Sequence, residues 1–184
     1  DEPFESQGKP VHNIVAERHG QAAAEEIVVV GAHYDSVLGS PGANDNGSGV
    51  AALLELARLL ADQPLPLTVR FVAFVNEEAP FYDTPQMGSR VYAARARARG
   101  DDIKAMLSLE TIGYYSDAPG SQNYPLPLQW FYPRQGNFIG LVSNFGSLNA
   151  TRKLAKTFRA VIKMPLDHPD LHSFPTRRSS GDPR

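Results

Sequence analysis

Cysteine is absent from the sequence. Disulfides, thiolate nucleophiles and cysteine-rich zinc sites are thereby excluded, so any metal has to be held by His, Asp and Glu. Long apolar runs are missing too. Ile27 to Val30 and Phe71 to Val75 fall far short of the roughly 20 residues a membrane-spanning helix needs. Nor is there an excess of positive charge: 18 Lys and Arg against 20 Asp and Glu leave a formal charge of -2, which gives no basic field for nucleic acid or anionic lipid. Arg95, Arg97 and Arg99 form one local basic cluster, but they alternate with alanine and mark the wet face of a helix. No signal peptide is visible, and the opening Asp1-Glu2-Pro3 reads as though an upstream part belongs before it.

What is present is an ordinary globular composition, 42% hydrophobic and 21% charged over 184 residues. The expected layout is one domain over residues 1–165 and an irregular tail over 166–184. The first 20 residues read as polar and irregular, with a short strand at Val11 to Ala16. Ile27 to His33 is apolar on both faces, as a central strand covered on both sides would be. Val50, Leu53, Leu54, Ala57 and Leu60 have the spacing of one buried helix face, with Ser48 as N-cap and Pro64 and Pro66 beyond the end. Further strands are expected at Thr68 to Val75, Ile103 to Leu109 and Asn137 to Val142, and helices at Ser89 to Arg99 and Asn149 to Ile162. Strands alternating with helices predict α/β layers, three deep (α/β/α), around a mostly parallel, mixed sheet. In such sheets ligands bind beyond the carboxyl ends of the strands.

Four clusters of candidate ligands fall at such strand ends or in the following loop: His33, Asp45, Glu77-Glu78 and Glu110. Each has a plain alternative. A His after a strand is often a hydrogen-bonded structural residue, Asp45 in Asn-Asp-Asn-Gly suits a turn, Glu77-Glu78 suits a helix N-terminus, and Glu110 suits an exposed strand end. Their coincidence on one rim argues otherwise, because carboxylates crowded together repel unless a cation lies among them.

Taken in order, Gly31-Ala32-His33-Tyr34-Asp35-Ser36, Gly42-Ala43-Asn44-Asp45-Asn46-Gly47-Ser48-Gly49, Asn76-Glu77-Glu78 and Leu109-Glu110-Thr111-Ile112-Gly113-Tyr114 resemble the M28 family of zinc peptidases. The resemblance covers roughly residues 11 to 165. It implies two zinc ions, with Asp45 bridging them, His33 and Glu110 completing one position and Glu78 on the other. Many relatives have Asp where Glu110 stands, so an extra methylene must be absorbed. Glu77 would be the general base, and Asp35 would orient the His33 ring. The bond Asp45-Asn46 would be cis. The substrate implied is a peptide with a free N-terminus, cut by a zinc-activated water, and the location implied is secreted or periplasmic. A carboxypeptidase or other amidohydrolase on the same scaffold, or a non-catalytic binding module, are the alternatives.

One part of the pattern is missing. The family's last ligand, a C-terminal His, has no counterpart in the expected surroundings. His168 and His172 are the only late histidines, and Leu171 to Ser180 resembles translated sequencing adapter. The expectation is therefore a fragment incomplete at its C-terminus, with the Glu78 position one ligand short, that binds one zinc better than two. Gly113 to Arg134, rich in Tyr, Pro and Gly and holding Trp130, either lines a substrate cleft or forms a surface loop.

Overall fold

The computed structural model describes residues 1–162 and the backbone of 166–167. It divides into two compact units, residues 1–113 and 114–184. His168, His172 and the tail beyond them lie outside the described residues.

The apolar runs become the centre of a five-stranded sheet in the first unit. β3 (Ala23–His33) and β4 (Leu67–Phe74) pair in parallel, and β5 (Asp102–Ser108) pairs in parallel on the other side of β3. β1 (Glu2–Ser6) and β2 (Lys9–Arg18) add an antiparallel edge next to β4, giving the order β1-β2-β4-β3-β5. The sheet is thus mixed, with parallel pairing confined to β4, β3 and β5. The stretch expected to be irregular is a hairpin. Its two-residue turn, Gln7-Gly8, has positive φ at both positions (49° and 73°), the conformation that matches the twist of the flanking strands.

Side chains alternate to opposite faces along each strand, and each face carries its own core. Val30, Ala32, Val69 and Phe71 pack with Leu53 of helix α1 (Gly47–Leu60). Ile27, Val29, Val72 and Phe74 pack with Tyr92 and Ala96 of helix α2 (Gly88–Arg99). Helices on both faces make the expected three layers. Burying one such side chain contributes about 1.5–3 kcal/mol. On the α2 face, Arg70 is satisfied by Glu17, Tyr92 and Asp101, so its charge is paired where the sheet is covered. α2 stops at Gly100, which adopts the left-handed conformation (φ 74°) and donates its N–H to the carbonyls of Ala96 and Arg97.

The second unit holds helix α3 (Leu148–Val161) and two short strands, β6 (Ile139–Gly140) and β7 (Leu166–Asp167), paired in parallel. The strand expected at Asn137 to Val142 shrinks to β6. In the segment after Gly113, Trp130 is 72% exposed. Among the described residues no helix is long and apolar enough to cross a membrane.

Candidate metal centre

Strand register places the candidate ligands on one rim. His33 ends β3 opposite Phe74 of β4, and Gly31 lies opposite Ser108 of β5. Glu77, Glu78 and Glu110 therefore follow within a few residues of two neighbouring strand ends. Backbone bonds from Tyr34 N to the Phe74 carbonyl (2.9 Å) and from Leu109 N to the Gly31 carbonyl (2.8 Å) carry this alignment past the sheet.

His33 is 3% exposed, and its two ring nitrogens face different groups. Nδ1 lies 3.1 Å from the backbone carbonyl of Asp35. A carbonyl only accepts, so Nδ1 carries the hydrogen and a neutral ring presents a lone pair at Nε2. That nitrogen faces Asp45 Oδ1 at 3.0 Å, Glu110 Oε2 at 3.5 Å and Glu77 Oε2 at 3.6 Å. Ligand atoms of His33, Asp45 and Glu78 all lie within 4.8 Å of one another. Lone pairs aimed at each other in this way repel unless a proton or a metal cation lies between them. Burial opposes charging of His33, but the carboxylates of Glu110, Glu77 and Asp35 and the Asp35 carbonyl outweigh it and raise its pKa. Glu77 is pushed up to about 7, first by burial and then by Glu110, Glu78 and Asp35, with His33 acting the other way.

Asp35 ties the pieces together. Its carbonyl faces the His33 ring, while its carboxylate accepts from the backbone N–H groups of Glu77 (3.1 Å) and Glu78 (3.0 Å). The carboxylate itself is 3.6 Å from Nδ1, so the hydrogen-bonded contact to the ring is made by the backbone oxygen. The Asp45-Asn46 peptide bond is cis.

Most of the residues that support the rim carry no local signal in the sequence. The N-cap of α1 is Asn46, whose side chain accepts from Gly49 N. Ser48, expected in that role, instead donates to the Asn44 carbonyl and accepts from Ile112 N. Asn76, left-handed at φ 60°, is buried and donates to Ser6 Oγ and the Gln86 carbonyl just before Glu77. Asn13, fully buried, spans Val75 N and the Gly88 carbonyl. These partners lie up to 75 residues apart in sequence, so spacing could not reveal them. Asn46 alone had a local cue, as a good capping residue beside the helix start.

Known proteins resemble this chain over the same region. The protein YfbL of Escherichia coli strain K12 is 46% identical over 156 residues, 80% of this chain and 47% of its own length. An aminopeptidase of Pseudomonas aeruginosa strain UCBPP-PA14 is 39% identical over 151 residues, 80% of this chain and 25% of its own. The solved structure of a zinc aminopeptidase from Bacillus subtilis matches with a TM-score of 0.51 and 31% identity, covering 64% of this chain and 30% of that one. The chain thus spans less than half the length of each of these relatives. The sequence profile of peptidase family M28 matches residues 13–131, which takes in His33, Asp45, Glu77, Glu78 and Glu110, and the chain belongs to that family.

Proposed function

We propose that this chain carries the zinc-binding rim of an exopeptidase, and that the reaction is removal of N-terminal residues from peptides. The observation behind the reading is the aim of the His33 Nε2 lone pair into carboxylates from three other segments. The aminopeptidases among the relatives support the choice of reaction, and the zinc aminopeptidase from Bacillus subtilis supports the metal. The donor set fits zinc, which accepts imidazole nitrogen and carboxylate oxygen together. In this assignment His33, Asp45 and Glu110 would hold one ion, and Asp45 and Glu78 would contribute to a second.

Zinc, when bound, supplies Lewis-acid polarisation of the scissile carbonyl and of a water molecule. Glu77 is left free of the metal to accept the water's proton at a carboxylate oxygen and deliver it to the leaving amine nitrogen. Its backbone N–H is fixed by Asp35, which sets the approach of the side chain. Asp35 also holds the Glu78 N–H, so base and ligand move as one piece.

Hydrolysis of a chromogenic amino-acid amide with added zinc tests the reaction. The expected rate is low, because the Glu78 position has no imidazole partner among the described residues. It should fall a further ~100- to 10,000-fold in Glu77→Gln, and the N-acetylated amide should not be cut. Equal rates for the two proteins would overturn the assignment. Equilibrium dialysis should find one tightly held zinc per chain, and two would contradict the ligand count.

A further inference from the structure

We propose that Asn46 and Thr111 are positioning residues for Glu110, each holding one of its carboxylate oxygens in register with His33 and Asp45. The proposal rests on the zinc reading above. Glu110 is half-exposed at the rim, and an untethered Glu side chain samples several rotamers that metal binding would have to freeze. In the structure it is already held. Asn46 Nδ2 donates to Oε2 (3.2 Å), the oxygen that faces His33, and Thr111 Oγ1 donates to Oε1 (2.7 Å). Each carboxylate oxygen accepts two bonds, so one direction on each stays available to a cation.

The donors are themselves fixed. Asn46 is 1% exposed, and its Nδ2 also donates to the Leu109 carbonyl (2.8 Å). Its Oδ1 accepts from Gly49 N (3.2 Å) and Thr111 N (3.1 Å), which sets the orientation of the amide. Around it, Ser48 Oγ accepts from Ile112 N (3.0 Å) and Asn44 Oδ1 accepts from Gly113 N (2.9 Å). Side chains at positions 44, 46 and 48 therefore take three consecutive amides after Glu110. Asp45 belongs to the same five residues, so the grip ties its position to that of Glu110. Thr111 adopts φ 49°, a conformation unfavourable for a β-branched residue. Glycine would sit there without strain, but only a hydroxyl side chain supplies the bond to Oε1.

Chelator competition for zinc on the full chain, with the visible absorption of the cobalt-loaded protein beside it, tests the proposal. Thr111→Val should bind zinc about 10- to 100-fold more weakly and change the cobalt spectrum, while Thr111→Ser stays within about threefold of the wild type. Asn46→Ala should weaken binding by at least as much if it folds. Thr68→Val serves as the control, since it removes a buried hydroxyl bonded to the Ala24 carbonyl far from the rim. It should lower the melting temperature but leave zinc affinity within about threefold. Wild-type affinity in Thr111→Val overturns the proposal, whatever Asn46→Ala does. A wild-type chain that binds neither zinc nor cobalt overturns the zinc reading itself, and this inference with it.

Discussion

Glu77 leaves about a quarter of its side chain in solvent, 26% by area, and stands among Glu78, Glu110 and Asp35. Its pKa is raised from 4.5 to about 7, so the folded state holds its proton more tightly than the unfolded chain. Any stabilising effect of the neutral carboxyl is complete below pH 4.5. It is lost as pH rises from there to 7, and above pH 7 a constant penalty remains. Such a shift corresponds to at most about 3 kcal/mol, and the partial exposure reduces this to ~1–2 kcal/mol. Glu77→Gln removes the ionisation and should therefore stabilise the metal-free fold at pH 8 but not at pH 4. The melting temperature at pH 8 should rise by roughly 2–8 °C for a chain of this length. Thermal unfolding of both proteins in chelator, from pH 4 to pH 8, measures the gap directly. Saturating zinc should shrink it, because a cation favours the ionised Glu77. Parallel profiles, or a gap that opens on acidification, would refute the electrostatic picture of the site.

Three other substitutions probe neighbouring features. Asp35→Asn turns one acceptor into a donor facing the Glu77 or Glu78 N–H, which should cost ~1–3 kcal/mol and be read as a lower urea midpoint; an unchanged midpoint would mean these bonds are idle. Gly88→Ala drives a methyl into the Val75 carbonyl and Asn13 Oδ1, so a loss of about 1–3 kcal/mol is expected, together with weaker zinc binding because Val75 leads directly into Glu77. β5 has no partner beyond β3 among the described residues and leaves Ile103 and Met106 exposed, an open apolar edge of the kind that recruits other chains. Met106→Lys should therefore reduce self-association in sedimentation without lowering the melting temperature, and unchanged association would clear this edge.

The central layer of the fold was legible because its physics is local. Ile27 to His33 is apolar on both faces and Thr68 to Val75 is largely apolar, and the structure covers both faces of each. α1 was legible from its apolar spacing, although it starts at Gly47, earlier than the apolar pattern begins. Asn46 caps it there, and a cap depends on backbone geometry that a hydrophobic pattern does not encode. β1 was missed since Glu2-Pro3-Phe4-Glu5-Ser6 has only one strongly apolar residue. Its pairing with β2 across Gln7-Gly8 supplies what composition does not. At the rim, His33, Asp45, Glu77, Glu78 and Glu110 stand out in the sequence through ordered motifs, and the structure brings them near one another. Asn76, Asn13 and Ser6 do not stand out, because their bonds form only once distant segments meet.

Ser6 belongs to the first strand, yet it receives the Asn76 amide one residue before Glu77 and donates to Gln86 further along the same loop. A cut in the Gln7-Gly8 turn would leave Asp45, Glu77, Glu78 and Glu110 on one chain while severing its covalent link to this anchor. The loop that carries Glu77 and Glu78 would then lose its Ser6 contacts at Asn76 and Gln86, so the opening hairpin takes part in fixing the acidic rim.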